Sequence, residues 1–184
     1  VCGTTIHDQE LMEENFRAAH QDLLSLRGDK IYIPVKFHLV GKDDGKGKVT
    51  YKSLLNQLNI LNRDYAAHNF VFYLKDGYNF GSIDNTKLYD TPRENENQFK
   101  PKKDPKAVNI FVVNTIGDAS LGQIVAGYYS PSNDLVVVLK SELDKLSNTL
   151  SHEVGHFFNL RHTFYGWEEV PYLEEDHGNP CVIS

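Results

Sequence analysis

Three histidines and a glutamate near the end of the chain have types and a spacing that suit metal-assisted hydrolysis. They are His152, Glu153, His156 and His162, within the run Thr149-Leu-Ser-His-Glu-Val-Gly-His-Phe-Phe-Asn-Leu-Arg-His162. On an α-helix, positions i and i+4 share a face, so His152 and His156 can direct two imidazoles at one ion. His162 supplies a third nitrogen donor and leaves the fourth position of a tetrahedral ion open, which is the layout of a catalytic zinc site.

Glu153 is the residue that would make such a site catalytic. It lies beside the ligand face of the helix, where its carboxylate can reach a water molecule at the metal without being a ligand. Such a carboxylate can accept a proton from the attacking water and pass it to the departing amine. The competing interpretation is a core helix whose histidines hydrogen-bond to the backbone. The helix is apolar apart from these groups, through Leu150, Val154, Phe157, Phe158 and Leu160.

The run resembles the metzincin signature His-Glu-x-x-His-x-x-Gly-x-x-His. It is more similar still to the pappalysin branch, through His162-Thr163-Phe164, and the resemblance extends from about Lys30 to Phe164. One position departs, because Asn159 stands where the family pattern has a glycine that ends the helix in a left-handed conformation. Asparagine tolerates that conformation best among the other residues, so we expect Asn159 to make the turn and deliver His162.

The resemblance implies an α/β (α+β) fold, the upper subdomain of a metzincin catalytic domain. That subdomain has a twisted mixed five-stranded sheet with backing helices and a zinc-site helix, which here would begin near Ser147. Residues 77–106 are polar and contain three prolines, so we expect a long surface excursion there. Hydrophobic periodicity predicts one helix over residues 9–26 and another that is capped by Thr50. It predicts strands over residues 31–40, 69–75, 108–113, 124–129 and 134–139.

The resemblance also identifies a strand that would bind substrate. In metzincins the strand before the last one runs along the cleft and pairs with an extended substrate backbone. By its order this is the strand over residues 124–129, and Ala126, Gly127 and Tyr128 are its expected substrate-binding positions. Exposed backbone groups on an edge strand bind peptide by β-augmentation, and small side chains would permit a close approach. The alternative is an ordinary edge strand with aromatic packing.

Cys2 is a candidate latency ligand. It opens the segment Val1-Cys2-Gly3-Thr4, which resembles the Cys-Gly-Thr of N-terminal segments in pappalysin-like precursors. We therefore expect residues 1–28 to be an N-terminal helical segment that acts as a pro-segment, and residues 29–184 to be the metallopeptidase catalytic domain. A thiolate is a strong zinc ligand and could fill the fourth position until the segment is cleaved. A disulfide with Cys181 and a free thiol are the alternatives.

The methionine content bears on how much of a metzincin domain is present. Metzincins place a methionine-containing turn beneath the zinc, whereas the single methionine of this chain is Met12, far upstream of the motif. We expect on this ground that the 184 residues are a fragment that ends soon after Cys181. Such a fragment would lack the lower wall of the cleft and have weak or no activity alone.

Composition favours one exported enzyme domain. A chain of 184 residues can bury the core of a single domain. Its net charge of −6 and the lack of a basic helix or a long apolar run argue against nucleic acid and membrane partners. The chain begins at Val1 rather than at methionine, which favours a processed, secreted product. We expect a monomer that acts on a peptide or protein substrate.

The sequence therefore predicts a zinc-dependent endopeptidase that binds Zn²⁺ through the three histidines and uses Glu153 as general base. One enzymatic alternative is a gluzincin-like site, in which a later glutamate such as Glu174 or Glu175 is the third ligand. The spacing of His162 disfavours that site. Another alternative is a non-catalytic zinc-binding or peptide-binding module on a metzincin scaffold. Retention of Glu153 argues against the module, because zinc binding does not require that carboxylate.

Overall fold

One mixed β-sheet organises the molecule in a computed structural model, which describes residues 2–19, 29–118 and 123–163. The strands of this sheet are β1 (Ile31–Gly41), β2 (Phe70–Leu74), β3 (Gly81–Asp84), β4 (Val108–Val113), β7 (Gly127–Ser130) and β8 (Leu135–Leu139). A separate antiparallel pair is formed by β5 (Gly117–Asp118) and β6 (Gln123–Ile124). The α-helices are α1 (Ile6–Ala19), α2 (Tyr51–Asp64), α3 (Thr86–Asp90), α4 (Lys140–Asp144) and α5 (Thr149–Phe157).

The strands lie in the order β2-β1-β4-β8-β7, and β3 also pairs with β1. Since β4 occupies one edge of β1 over residues 35–39, β3 must continue the opposite edge, which β2 begins. The sheet is therefore five positions wide but contains six strands. All neighbours are parallel except β7, which runs antiparallel to β8 at one edge. The predicted fold class, a mixed sheet with backing helices, is confirmed.

The central strands are buried on both faces, as parallel strands covered by helices and loops must be. Every residue of β4 is buried, and its side chains alternate between two hydrophobic clusters. Ile110 and Val112 face the cluster that contains Leu54 of α2 and Val154 of α5. Phe111 packs in the second cluster, on the other face of the sheet. Helix α5 is thus held against the sheet by its apolar side, which fixes where its polar side points.

The segment between β2 and β4 is more ordered than the sequence predicts. Residues 77–106 contain β3 and α3 as well as short 3₁₀ turns, not only irregular chain. The Asn85 side chain caps α3 by accepting a hydrogen bond from the backbone N–H of Leu88 at 3.0 Å. Ile83, Leu88 and Phe99 are buried in the second cluster. The expectation of an irregular excursion is therefore wrong. The sequence does not indicate these elements, because their apolar residues are too widely spaced to form a visible period.

Helix boundaries follow from capping groups. The predicted cap at Thr50 is confirmed, since its hydroxyl accepts a hydrogen bond from the backbone N–H of Ser53 at 3.2 Å. Helix α1 begins earlier than predicted because Thr5 and Asp8 form a reciprocal capping box, in which each side chain bonds the backbone N–H of the other. The rest of the predicted first helix, residues 20–26, lies outside the described residues. In the described ranges, no helix has the length and apolar character that a bilayer crossing requires.

His38 is a buried histidine of β1 that lies away from the predicted site. Its ring stacks on Phe111 with the centroids 4.3 Å apart, and its Nε2 lies 3.0 Å from Asn109 Oδ1. The Asn109 amide nitrogen donates to the carbonyl of Asp104, which leaves Oδ1 as the acceptor and makes His38 Nε2 the donor. Burial lowers the pKa of His38 to about 4, helped by the charge of Lys36 and opposed by Asn109 and Asp104.

Acidification should destabilise the protein through His38. The folded protein favours the neutral form of the His38 ring, whereas the unfolded chain protonates it at the ordinary pKa of 6.5. The stability that the neutral ring contributes is therefore complete above pH 6.5 and is lost as the pH falls towards 4. The loss should approach about 1.4 kcal/mol per pH unit. Denaturant unfolding of His38→Gln between these pH values should show a flatter profile than the wild type. His68→Gln, which changes an exposed histidine, is the control; an unchanged profile in His38→Gln would contradict the argument.

Candidate active site

The three predicted ligand nitrogens converge on one point. Nε2 of His152 and Nε2 of His156 lie 3.1 Å apart, and Nε2 of His162 lies 3.2 Å from each of them. Nitrogen donors around a tetrahedral ion, at metal–nitrogen distances of about 2.0–2.1 Å, are separated by roughly 3.3 Å. The triangle therefore fits one small ion bound by three imidazoles.

A turn after α5 delivers the third histidine. The backbone N–H of Leu160 bonds the carbonyl of Gly155 at 3.0 Å, and the N–H of Asn159 bonds the carbonyl of His156 at 2.8 Å. These two bonds form a Schellman motif, which needs a left-handed residue just after the helix. Asn159 takes that conformation with φ at 62°, so the expectation for this residue is confirmed. The chain then reverses and places His162 beside the helix.

The same turn sets the protonation of His156. Nδ1 of His156 lies 2.6 Å from the carbonyl oxygen of Leu160, so Nδ1 carries the proton and the lone pair of Nε2 is available to an ion. Burial lowers the pKa of His156 to about 4. Burial also lowers the pKa of His152, with a smaller effect from His162. Both rings are therefore held in the neutral form that binds metal.

Glu153 is fully buried beside the histidine triangle. Its Oε2 accepts hydrogen bonds from the hydroxyl of Thr4 at 3.4 Å and from the thiol of Cys2 at 3.6 Å. Burial raises the pKa of Glu153 to about 8, against the opposing effect of these hydrogen bonds. A cation among the histidines would act in the opposite direction, by favouring the carboxylate. The side chain is therefore aimed into the site without being one of the three converging donors.

Cys2 lies at the site, although 150 residues separate it from the first histidine. Its Sγ is 3.4 Å from Nε2 of His156, and one donor atom from Cys2 and from each histidine all lie within 4.8 Å of one another. The thiol is free, and Cys181 lies outside the described residues. Burial, followed by the charge of Glu153, raises the pKa of Cys2 to about 12. The four donors are three nitrogens and one sulfur, a set that suits a tetrahedral ion.

Residues 2–4 lie along the edge strand that the sequence assigns to substrate. The N–H of Gly3 donates to the carbonyl of Gly127 at 2.8 Å, and Cys2 and Gly127 form a parallel bridge. The hydroxyl of Thr4 accepts from the N–H of Tyr129 at 3.2 Å. The exposed edge of β7 is thus occupied by the chain's own N-terminal segment.

The predicted strand over residues 124–129 is broken, and its three candidate residues differ in position. Gly127 and Tyr128 belong to β7, whereas Ala126 lies between β6 and β7. Val125, which lies at the break, packs in the second hydrophobic cluster. The ring of Tyr128 packs in that cluster as well, so only its backbone is available to a neighbouring chain. A Cβ on Gly127 would lie 3.0 Å from Cγ of Glu153, so this glycine permits close contact with α5.

Sequence reasoning missed a connection between α1 and the loop that carries the third histidine. The buried Gln9 accepts a hydrogen bond from the backbone N–H of His162 at 3.1 Å. Glu13 pairs with Arg161, with Oε2 and Nη1 2.6 Å apart. Because these partners are about 150 residues apart, no local pattern could indicate the contact.

Comparison with known proteins finds relatives that are named as peptidases. The chain is 30% identical over 187 residues to an extracellular metalloprotease of Neurospora crassa, across 90% of this chain and 64% of the relative. It is 30% identical over 150 residues to an extracellular metalloprotease of Colletotrichum graminicola, across 74% of this chain and 53% of the relative. The chain therefore spans between half and two thirds of these relatives. No family model matches it.

The fold is also similar to a solved structure, a Tannerella forsythia promirolysin mutant, E225A. The TM-score is 0.59 at 20% sequence identity, and the match covers 89% of this chain and 70% of that structure. At this identity the likeness concerns the fold alone. The fold and the homologous metalloproteases together confirm the predicted resemblance to metzincin-like metallopeptidases.

Substitutions of Asn159 should test whether the turn after α5 positions His162 for metal binding. Asn159→Gly should bind metal as the wild type does, because glycine adopts positive φ without strain. Asn159→Val should bind metal about tenfold or more weakly, because a β-branched residue resists positive φ and the loop to His162 would shift. Competition with a chromophoric chelator measures both affinities. Equal affinities for the two variants would show that the turn does not position the third ligand.

Proposed function

We propose that this chain contains the metal-binding part of a secreted zinc-dependent endopeptidase, with residues 29–184 belonging to the catalytic domain. The observation that carries the proposal is the triangle of three histidine nitrogens beside the buried carboxylate of Glu153. Homologues named extracellular metalloprotease support hydrolysis of peptide or protein substrates outside the cell.

The donor set supports zinc as the ion. Neutral imidazole nitrogens at near-tetrahedral separation, with room for one more donor, are typical of catalytic zinc sites. His152, His156 and His162 would bind the ion. When bound, zinc supplies a Lewis acid that polarises a carbonyl and lowers the pKa of nearby water.

Glu153 then has the position and the proton affinity of a general base. Its Oε2 points to the region where Cys2 and Thr4 now lie, and its Oε1 is buried without a hydrogen-bond partner among the described residues. A desolvated carboxylate next to an attacking water accepts its proton as the oxygen adds to the peptide carbonyl. The same carboxyl group returns the proton to the amine nitrogen when the carbon–nitrogen bond breaks.

The alternatives gain less support from the structure. Glu174 and Glu175, the candidate ligands of a gluzincin-like site, lie outside the described residues, whereas His162 lies in the triangle. A non-catalytic zinc-binding or peptide-binding module would gain nothing from the buried Glu153, because burying a carboxyl group costs free energy that metal binding alone does not require.

Glu153→Gln should abolish hydrolysis while leaving the metal bound. The amide preserves the shape of the side chain but accepts no proton, so turnover should fall by about 10²- to 10⁴-fold. Peptide cleavage and zinc content are measured on the full-length protein that contains this chain, with Glu94→Gln as the control at an exposed position. His162→Ala should instead lower zinc affinity. Near-normal turnover in Glu153→Gln would refute its assigned role.

We also propose that residues 1–28 are an inhibitory pro-segment and that Cys2 closes the metal site. Three contacts of the described part support this: Cys2 Sγ near His156, Gly3 on the edge of β7, and Glu13 of α1 paired with Arg161. The thiolate of Cys2 would fill the fourth position of the ion and keep water out. Cleavage after the segment would release it and open the site.

Cys2→Ala should remove the latency of the full-length protein. Without the sulfur ligand, the fourth position is open to water before any cleavage, so progress curves of peptide hydrolysis should lose their initial lag. The control is His7→Ala, which changes a strongly exposed side chain of the same segment. A lag of wild-type length in Cys2→Ala would exclude Cys2 as the closing ligand.

A further inference from the structure

Arg93 lies at the edge of β7, where the N-terminal segment passes. Its Nη2 donates a hydrogen bond to the backbone carbonyl of Gly3. Its guanidinium carbon lies 4.3 Å from the ring centroid of Tyr128 in β7, a cation–π contact that holds the planar group over this strand. A Cβ added to Gly3 would overlap the guanidinium and lie 2.5 Å from Cγ1 of Val125. The space between Arg93 and β7 therefore has room for a backbone and little else.

The guanidinium of Arg93 makes no direct ion pair in the described ranges; its charge reaches the buried Glu153 only at longer range, where it opposes the rise in the pKa of that carboxyl group that burial causes. The Nε of Arg93 is buried without a hydrogen-bond acceptor among the described residues. Glu96, three residues later, instead accepts hydrogen bonds from Ser130 and Asn133. A partly buried guanidinium without an acceptor is costly. Its acceptor oxygen here comes from Gly3, that is, from the chain that lies on β7.

Gly3 occupies a position that a substrate must also occupy. It follows Cys2, whose Sγ is 3.4 Å from His156 Nε2, so the carbonyl that Arg93 holds is next to the residue at the metal site. The backbone N–H of Tyr129, which would donate to an added strand, is satisfied by the side chain of Thr4. If residues 2–4 leave, the guanidinium of Arg93 loses the carbonyl of Gly3 and the backbone N–H of Tyr129 loses the hydroxyl of Thr4.

We propose that Arg93 is a substrate-binding residue, whose guanidinium binds an acceptor oxygen of the peptide next to the residue that is cleaved. This inference rests on the proposed endopeptidase function. The oxygen is either a main-chain carbonyl, as in Gly3, or the carboxylate of an acidic side chain. Both present the same chemistry to a guanidinium, whose fork of donors binds one or two oxygens.

Arg93→Gln, made in the zinc-loaded full-length protein that also carries Cys2→Ala, tests the role. The substrates are quenched fluorescent peptides that are identical except for Gly, Gln, Glu or Lys at the two residues that flank the cleaved residue. We expect KM to rise about tenfold or more while kcat stays within about twofold, since a charge-assisted hydrogen bond to bound substrate is lost. Zinc content should not change.

The peptide series identifies the source of the oxygen. A similar rise in KM for all peptides assigns the contact to a main-chain carbonyl, and a rise confined to the Glu peptides assigns it to a carboxylate. Arg93→Lys keeps the charge but loses the planar fork, so it should fall between wild type and Arg93→Gln. The control is Lys100→Gln, which removes one charge at an exposed position of the same connection. Unchanged KM values in Arg93→Gln and Arg93→Lys would overturn the proposal.

A binding measurement separates this inference from the proposed function. Fluorescence anisotropy with the same peptides is measured on the Glu153→Gln, Cys2→Ala protein with and without Arg93→Gln. If the peptides bind only when Arg93 is present, and the protein that retains Glu153 does not cleave them, the endopeptidase function is refuted and the role of Arg93 in binding is supported. Cleavage and binding that do not depend on Arg93 would refute Arg93 alone. The absence of both binding and cleavage would overturn both.

Discussion

The turn that ends α5 is the constraint on which the site depends. The helix is only nine residues long and carries two of the three donors at i and i+4. The third donor can reach them only if the chain reverses at once, which the left-handed Asn159 makes possible. The carbonyl of Leu160, placed by that reversal, also accepts the proton of His156 Nδ1. One local conformation therefore decides both where the three histidines lie and which nitrogen of His156 faces the point on which they converge.

The edge strand β7 contacts α5 on one side and the chain that lies in the cleft on the other. Gly127 has no side chain, so Glu153 of α5 can approach β7 to van der Waals contact. The carbonyl of the same glycine accepts the hydrogen bond from Gly3. A chain that adds to β7 is thus held at a fixed distance from Glu153, and through it from the histidines. In the proposed mechanism, substrate position and proton transfer would both depend on Gly127, which contacts Glu153 and accepts the hydrogen bond from Gly3.

Local features of the site could be predicted from patterns in the sequence, whereas distant contacts could not, and the expectation that Cys2 lies at the metal site came from the family resemblance alone. The spacing of the histidines, the conformation of Asn159 and the cap at Thr50 are local, and the described structure has each of them. The contacts of Cys2 with Glu153 and of Arg93 with Gly3 join residues 151 and 90 positions apart, which no periodicity reveals. The elements missed between β2 and β4 are short. They form because their apolar residues are buried against the sheet, which is a tertiary contact that no local sequence pattern indicates.

If the N-terminal segment is the inhibitory pro-segment proposed above, its direction would explain how it occupies the cleft without being a substrate. Its bridge to β7 is parallel, whereas an antiparallel pairing is the more stable one for a peptide that adds to an edge strand. Gly3 makes one strand-type hydrogen bond to β7, and its carbonyl turns to Arg93. Thr4 completes the pairing through its hydroxyl instead of its backbone. A substrate that runs the other way would satisfy the same donors with main-chain oxygens, and would bring a carbonyl to the place where the segment brings the sulfur of Cys2.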